Sequence, residues 1–400
     1  MTPGPVRLFA LSLLAAALPL RPLLAADAPA RGGRVTAPAD ARFPAMVEWA
    51  EAGVRGGIPR DLPVLATVTP GNDLQVALDI TATQGGGVVD LAAGDFVITR
   101  PLQLRSGVVL RGAADGGSRL HLKLRGRAGA AADPDGFSTW TTGLHGRGIK
   151  RAGLERLTVV FDSSLPPPPT VATEKRPYVN DPGQRDDLWV VSVRFTQSED
   201  CWIDACRIVD SGTHPLLLED CRHLTVRHTE LTGAHNKGGP DDAGCLVLDG
   251  SEYTLLDGLT VRDLRHVVLE ASSSAARPCR YNVLIRSSLA VDVAMRSRAT
   301  AHNLVEDCTI ELPPGHPWTP FGIGEPKRHQ PPGPGNVIHR CRALHKSGNE
   351  KRNYSVAEDP AQVYTLITDF KLEKRNPRHV VPLGPAPASG TLYPPPRPQP

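Results

Sequence analysis

Aromatic residues make up only 5% of this chain of 400 residues. A ring-rich core is therefore excluded, and aliphatic and small side chains must fill the interior. No charge of one sign dominates. With histidines neutral the net charge is +3, which excludes a uniform nucleic-acid-binding surface and leaves room only for a local basic patch. Beyond the first 26 residues no apolar run is long enough to cross a bilayer. No CxxC or Cys/His spacing suggests zinc. The glycines of WAEAGVRGGIPR (49–60) follow neither the GxxxxGK[ST] nor the GxGxxG order, so a phosphate loop has no support. Serine-hydrolase and Rossmann readings find no support either.

What is present begins with a leader. Arg7 precedes the apolar run LFALSLLAAALPL, and small residues follow at Ala25 and Ala26. Charge, hydrophobic stretch and small residues in that order predict a secretory signal over 1–26, with a secreted or periplasmic product. Residues 27–62 read as an N-terminal extension, its Gly-rich part looping over the first turns of the fold. Of the 39 prolines, 20 cluster in 166–169, 313–334 and 382–400, marking loops and a disordered tail within a C-terminal extension over 351–400. Seven cysteines leave at least one unpaired in an exported protein. Three of them, Cys206, Cys308 and Cys341, share one position of a repeat and read as buried filler.

That repeat organises residues 63–350. An aliphatic residue, two polar or small ones, a small or apolar one, a variable one and a second aliphatic recur at LERLTV (154–159), IDACRI (203–208) and VRHTEL (226–231). They recur again at LDGLTV (256–261), LIRSSL (284–289), VEDCTI (305–310) and, degraded, IHRCRA (338–343). From Ile203 onward the gaps are 23, 30, 28, 21 and 33 residues. Alternating apolar positions predict short strands. A unit of this length that cannot bury its own face predicts a solenoid, and without amphipathic helices the solenoid is a stack of parallel strands. QVYTLITDFKLEK (362–374) reads as a closing strand or helix.

Residues 72–112 begin with a short amphipathic helix, NDLQVALDIT, followed by GGGVVDLAAGDFVITRPLQLRSGVVLRG. This order resembles the start of the pectate-lyase-like right-handed parallel β-helix proteins. The matching residues are Gly85, Gly86, Gly87, Val88, Val89, Leu91, Gly94, Phe96, Leu110, Arg111 and Gly112. The resemblance implies an all-β, right-handed parallel β-helix whose open end is capped by the helix.

In a stacked coil, equal offsets from the repeat fall near one another. Counting from the first aliphatic, offsets of 9 to 12 reach His214, then His235 and Lys237, then Arg265 and His266, then Arg296, then His316. These predict a basic ridge suited to an extended anionic polymer. On a uronic-acid polymer, cations neutralise the carboxylate, a base takes the adjacent C–H proton and a second group protonates the leaving oxygen. Lys237, Arg265, His266 and His235 are the catalytic candidates, and His214, Arg296, His316 and Trp318 the substrate-binding ones. The resemblance adds that some polysaccharide lyases of this superfamily use a Lys and Arg on neighbouring rungs with an Arg-His step, matched here by Lys237, Arg265 and His266.

Two other classes stay open. A glycoside hydrolase needs two carboxylates, and Asp241 and Asp242 resemble the paired aspartates of polygalacturonase-like enzymes, although the NTD, GHG and RIK elements of that family are absent. A non-catalytic scaffold would stack sugars on tryptophans, with Trp318 the best placed. Calcium is a candidate ligand of Asp241, Asp242 and Asp263 or Glu270; no other cofactor is implied. A single chain acting on a polysaccharide, without nucleic acid and without a membrane once the leader is removed, is the expected state.

Overall fold

The computed structural model describes residues 40–126, 141–170, 185, 187–238, 243–272, 275–314, 316, 318–323, 329–345, 355–356, 361–366 and 380–393. The expected leader and the Asp241-Asp242 pair lie outside these residues. The chain winds into a right-handed coil of parallel strands forming three long sheets of 12, 10 and 8 strands, here called A, B and C.

The recurring motif is the corner between sheets A and B. Its first aliphatic points inward from sheet A, and ladder pairing stacks Leu110, Leu154, Ile203, Val226, Leu256, Leu284, Val305 and Ile338 in one row. Its second aliphatic begins the matching row of sheet B: Val159, Ile208, Leu231, Val261, Leu289, Ile310 and Ala343. Between them stands a left-handed residue. Arg156, Ala205, His228, Arg286, Asp307 and Arg340 have φ of 49° to 55°, and Gly258 has 64°. For an L-residue this conformation costs about 1–2 kcal/mol, which the ladders on both sides offset at every turn. The small position beside it holds Cys206, Cys308 and Cys341, all buried, and none of the seven cysteines forms a disulfide.

Helix Leu74–Thr83 caps the N-terminal end, as expected. Asp73 accepts hydrogen bonds from the N–H groups of Gln75 and Val76, and Leu74 and Leu78 are buried against the first rungs. Gly112 has a steric reason: a Cβ there would lie 2.1 Å from the Arg156 carbonyl oxygen of the next rung.

The N-terminal extension does more than loop over the first turns. Phe43, Met46 and Trp49 pack on Val283, Ile285, Leu304 and Val337 of the late rungs. The Val54 N–H then donates to Thr225 Oγ1 at 2.9 Å, and Ile58 packs with Val88, Val109 and Trp202 of the early ones. The segment thus straps the outer face of sheet A, because that face carries apolar residues that need cover. The C-terminal part completes the cover. Gln362–Leu366 is a strand, antiparallel to Val337–His339, and Val380–Pro385 pairs with it in turn. The Leu392 and Tyr393 N–H groups donate to buried Glu306 at 2.9 and 3.0 Å. This part of the Pro-rich tail is therefore docked rather than disordered.

Inside the turns from C to A runs a ladder of buried amides. Asn303 Oδ1 accepts from the N–H and Nδ2 of Asn282 at 3.0 and 2.9 Å, and Asn303 Nδ2 donates to Asn336 Oδ1 at 2.9 Å. Asn303→Ala would strand the Asn282 N–H and one hydrogen of its Nδ2, the other still donating to the Ser251 carbonyl at 2.8 Å, at about 1–3 kcal/mol for each buried group left unpaired. A urea midpoint that falls by that much, with unchanged m-value, is the expected result; an unchanged midpoint would show that the ladder contributes nothing.

Candidate functional site

The three outer faces differ. Terminal segments cover face A. Face B carries solvated cross-rung pairs such as Arg207–Glu230 and Arg119–Asp95, both at 2.8 Å with exposed arginines, which contribute little to stability. Face C, like face A with Glu155, Glu306 and His339, carries ionisable side chains that are buried or half-buried.

At the entrance to sheet C, the turns from B to C hold the predicted basic positions. His214, Lys237 and Arg265 stand there on three successive rungs and His316 stands two rungs beyond Arg265, all at the turns that the offsets anticipate. They do not line an open groove, because all four are at most 4% exposed. Lys237 Nζ donates to the Pro169 carbonyl. His214 Nδ1 accepts from the Cys245 N–H at 3.1 Å. His235 packs against the Phe161 ring with centroids 5.8 Å apart. Arg296 stands apart from this group: it ends the strand Asp292–Arg296, about 13 Å along from Asp292.

The structure brings four predicted residues together around one that was not predicted. Asp292, fully buried, lies 2.8 Å from His266 Nδ1 and 2.7 Å from His316 Nε2. Burial would raise its carboxyl, but the attraction and hydrogen bonds of the two imidazoles outweigh that and hold it well below the usual carboxylate range. An ionised carboxylate only accepts, so both rings donate to it. Burial also pulls His266 down to about 4, against the attraction of Asp292. His266 is therefore neutral in the fold, with its proton on Nδ1. Trp318 lies across it, with ring centroids 4.2 Å apart, and the Arg265 guanidinium stands 5.1 Å from the same indole.

A buried and a half-buried histidine, both kept neutral, give a pH prediction. His266 and His235 are each lowered from 6.5 to about 4, in both cases chiefly by burial. The unfolded chain then binds protons that the folded one refuses, so stability present above 6.5 is lost as pH falls towards 4. Urea midpoints across that window should decline. His235→Gln should flatten the slope, and an unaltered slope would show that His235 does not contribute.

At the exit of sheet C lies a second row. Ladder register aligns Arg147, Thr196, Glu219, Asp249, Glu270 and Arg296 on six consecutive rungs, with neighbouring strands about 4.8 Å apart. Glu219 Oε2 accepts from Arg194 Nε at 2.5 Å and from Thr196 Oγ1 at 3.1 Å. Asp249 accepts from the Ser272 N–H at 2.8 Å and from Ser272 Oγ at 2.6 Å. Glu270 lies 3.7 Å from an Arg296 guanidinium nitrogen. Burial raises Asp249 above the ordinary carboxylate value. The Ser272 hydrogen bonds oppose the rise, and the charges of Glu219 and Asp220 add to it. Glu219 and Glu270 remain 24% and 23% exposed at their side chains.

The carboxylate row was missed as a site, yet it has a sequence signature. An acid follows three aliphatic residues in LLLE (216–219), LVLD (246–249) and VVLE (267–270). Of the expected calcium ligands, Asp241 and Asp242 lie outside the described residues. Among the described residues no group of three or more His, Cys, Asp or Glu is arranged to hold a metal ion. No described helix is long and apolar enough to cross a membrane.

No family model and no curated protein matches the chain. Among solved structures, it is similar to a polygalacturonase from Erwinia carotovora ssp. carotovora at 11% identity, covering 73% of this chain and 82% of that one, with a TM-score of 0.46. A pectin methylesterase, PemA, from Erwinia chrysanthemi matches at 11% identity over 70% of this chain and 89% of its own, with a TM-score of 0.40. An exopolygalacturonase from Thermotoga maritima matches at 12% identity over 73% and 84%, with a TM-score of 0.39. The three sheets and their parallel register make this chain a right-handed parallel β-helix.

Proposed function

We propose that the chain is an exported carbohydrate-active enzyme that hydrolyses glycosidic bonds of a polysaccharide lying along sheet C. One observation carries this reading. Glu219 and Asp249 stand on adjacent rungs in environments of opposite character, Glu219 beside a guanidinium and Asp249 raised by burial and by like charge. Two carboxyls set apart in this way suit an acid and a base. Asp249 donates its proton to the glycosidic oxygen as the bond to the anomeric carbon breaks. A neighbouring carboxylate takes the proton of the water that attacks that carbon. The row runs along the coil axis, which suits an elongated substrate, and half-buried Arg147 at one end suits acidic groups on that substrate.

A lyase acting by β-elimination on a uronic-acid polymer is the second reading, and one contact favours it. The Arg265 N–H donates to the Gly244 carbonyl at 2.7 Å, and a Cβ on Gly244 would lie 2.9 Å from Lys237. The backbones at Lys237 and Arg265, one rung apart, therefore flank a single glycine. The product separates the readings. Pectate, alginate, glycosaminoglycans and neutral glucans would be incubated with the full chain, with and without calcium. New reducing ends without ultraviolet absorbance are expected. A rise in ultraviolet absorbance would transfer the chemistry to Lys237, Arg265 and His266. Neither signal, with binding retained, would leave a glycan-binding scaffold.

A further inference from the structure

We infer that Glu219 is the carboxylate that takes the proton from water, and that Thr196, Arg194 and His145 are its positioning residues. The inference rests on the hydrolytic reading of the carboxylate row. Arg194 Nε and Thr196 Oγ1 both donate to one oxygen of Glu219, Oε2, at 2.5 and 3.1 Å. Among the described residues no hydrogen bond reaches Oε1. One oxygen is thus held while the other keeps its lone pairs for a water molecule, and the side chain as a whole is 24% exposed.

The support behind Thr196 is itself fixed. His145 Nε2 lies 3.3 Å from Thr196 Oγ1. The Thr196 hydroxyl has one proton, which it gives to the carboxylate, so the imidazole donates to the hydroxyl and carries its proton on Nε2. His145, Thr196 and Glu219 occupy three consecutive rungs of sheet C. His145, Arg194 and Thr196 are each at most 3% exposed. A carboxylate held by two donors, one of them backed by a third group, loses little freedom when the reaction begins, and that is how positioned bases gain their rate. Asp249 lacks this arrangement, because Ser272 bonds both of its oxygens.

The test is a kcat-against-KM comparison on whichever polymer the full chain hydrolyses. Thr196→Val removes the donor and keeps the shape. It should lower kcat about tenfold to a hundredfold, as expected for a lost hydrogen bond to a charged group, with KM within about twofold. Thr196→Ser restores the hydroxyl and should recover most of the rate. Arg194→Lys, which keeps the charge and loses the fixed Nε geometry, should lower kcat in the same way. Thr196→Val turning over like the wild type would overturn the inference. Thr196→Ser remaining as slow as Thr196→Val would also overturn it, since packing alone would then explain the loss. Failure of the underlying reading looks different: a wild type that releases no reducing ends, or Glu219→Gln working at full rate, removes the row as the site.

Discussion

Asp249→Asn should lower turnover by about 10²–10⁴, the range a positioned acid contributes, without weakening the fold at neutral pH. The two halves of this expectation share one cause. Burial raises Asp249 above its ordinary 3.8. A carboxyl raised in the folded state favours the protonated form, so its contribution to stability is present below 3.8 and is lost as pH rises through the folded value. At neutral pH the ionised group is therefore a cost that the amide does not carry. Reducing-end release and urea midpoints at pH 5 and pH 7 measure both effects. Turnover within tenfold of wild type would remove Asp249 as the acid. A midpoint lower at pH 7 would show that the Ser272 hydrogen bonds outweigh the burial of the charge. The wild-type rate should itself decline as pH rises past the Asp249 value, because the donor then arrives without its proton.

Asp292→Ala should cost about 3–5 kcal/mol, as breaking a buried charged contact does. The carboxylate is inaccessible to solvent and accepts from two imidazoles on different elements, one on the strand His266–Glu270 and one in the loop before Phe321. Removing it leaves both rings with an unpaired donor in the interior. Asp292→Asn should fall between wild type and Ala, since one amide oxygen can still accept. The sign with pH follows from the depressed carboxyl: its stabilisation is present above 3.8 and lost as pH falls through the lower folded value. The difference between wild type and Asp292→Ala should therefore be complete at neutral pH and shrink only in acid. A difference under about 1 kcal/mol at pH 7 would mean that the cluster relaxes or admits water when the carboxylate is removed.

The coil was legible because its physics is repetitive. A parallel ladder in register sets each side chain over the same atom of the previous turn, so Leu154, Ile203 and Val226 must all be aliphatic, and spacing alone exposes them. The left-handed corner residue was visible only as the second of the two polar or small positions, since Arg, Ala, His, Gly and Asp all occupy it. The strap over sheet A was not legible. Which rungs cover Trp49 depends on which outward faces remain bare, and Trp49 meets the His302 carbonyl, 253 residues away, through its indole N–H at 2.7 Å.

The site divides in the same way. Offsets from sheet A found the turns from B to C because those turns lie only one strand away. They lost the carboxylate row. Glu219 lies 16 residues after Ile203 (219 − 203), Asp249 lies 23 after Val226 (249 − 226), and Glu270 lies 14 after Leu256 (270 − 256), yet the three share one register position. The insertions fall between sheets B and C, and backbone hydrogen bonds realign the strands after them.

By itself the sequence determined the winding of the chain, the composition of its inner rows, the capping helix and the edge at which basic residues gather, because each of these depends on local period and pairing. Only the tertiary structure decided that those basic residues are buried and paired, that Asp292 joins two of the histidines, and that three acids of unequal spacing form one row. Burial, charge pairing and register after a loop of arbitrary length are set by what the rest of the chain brings alongside.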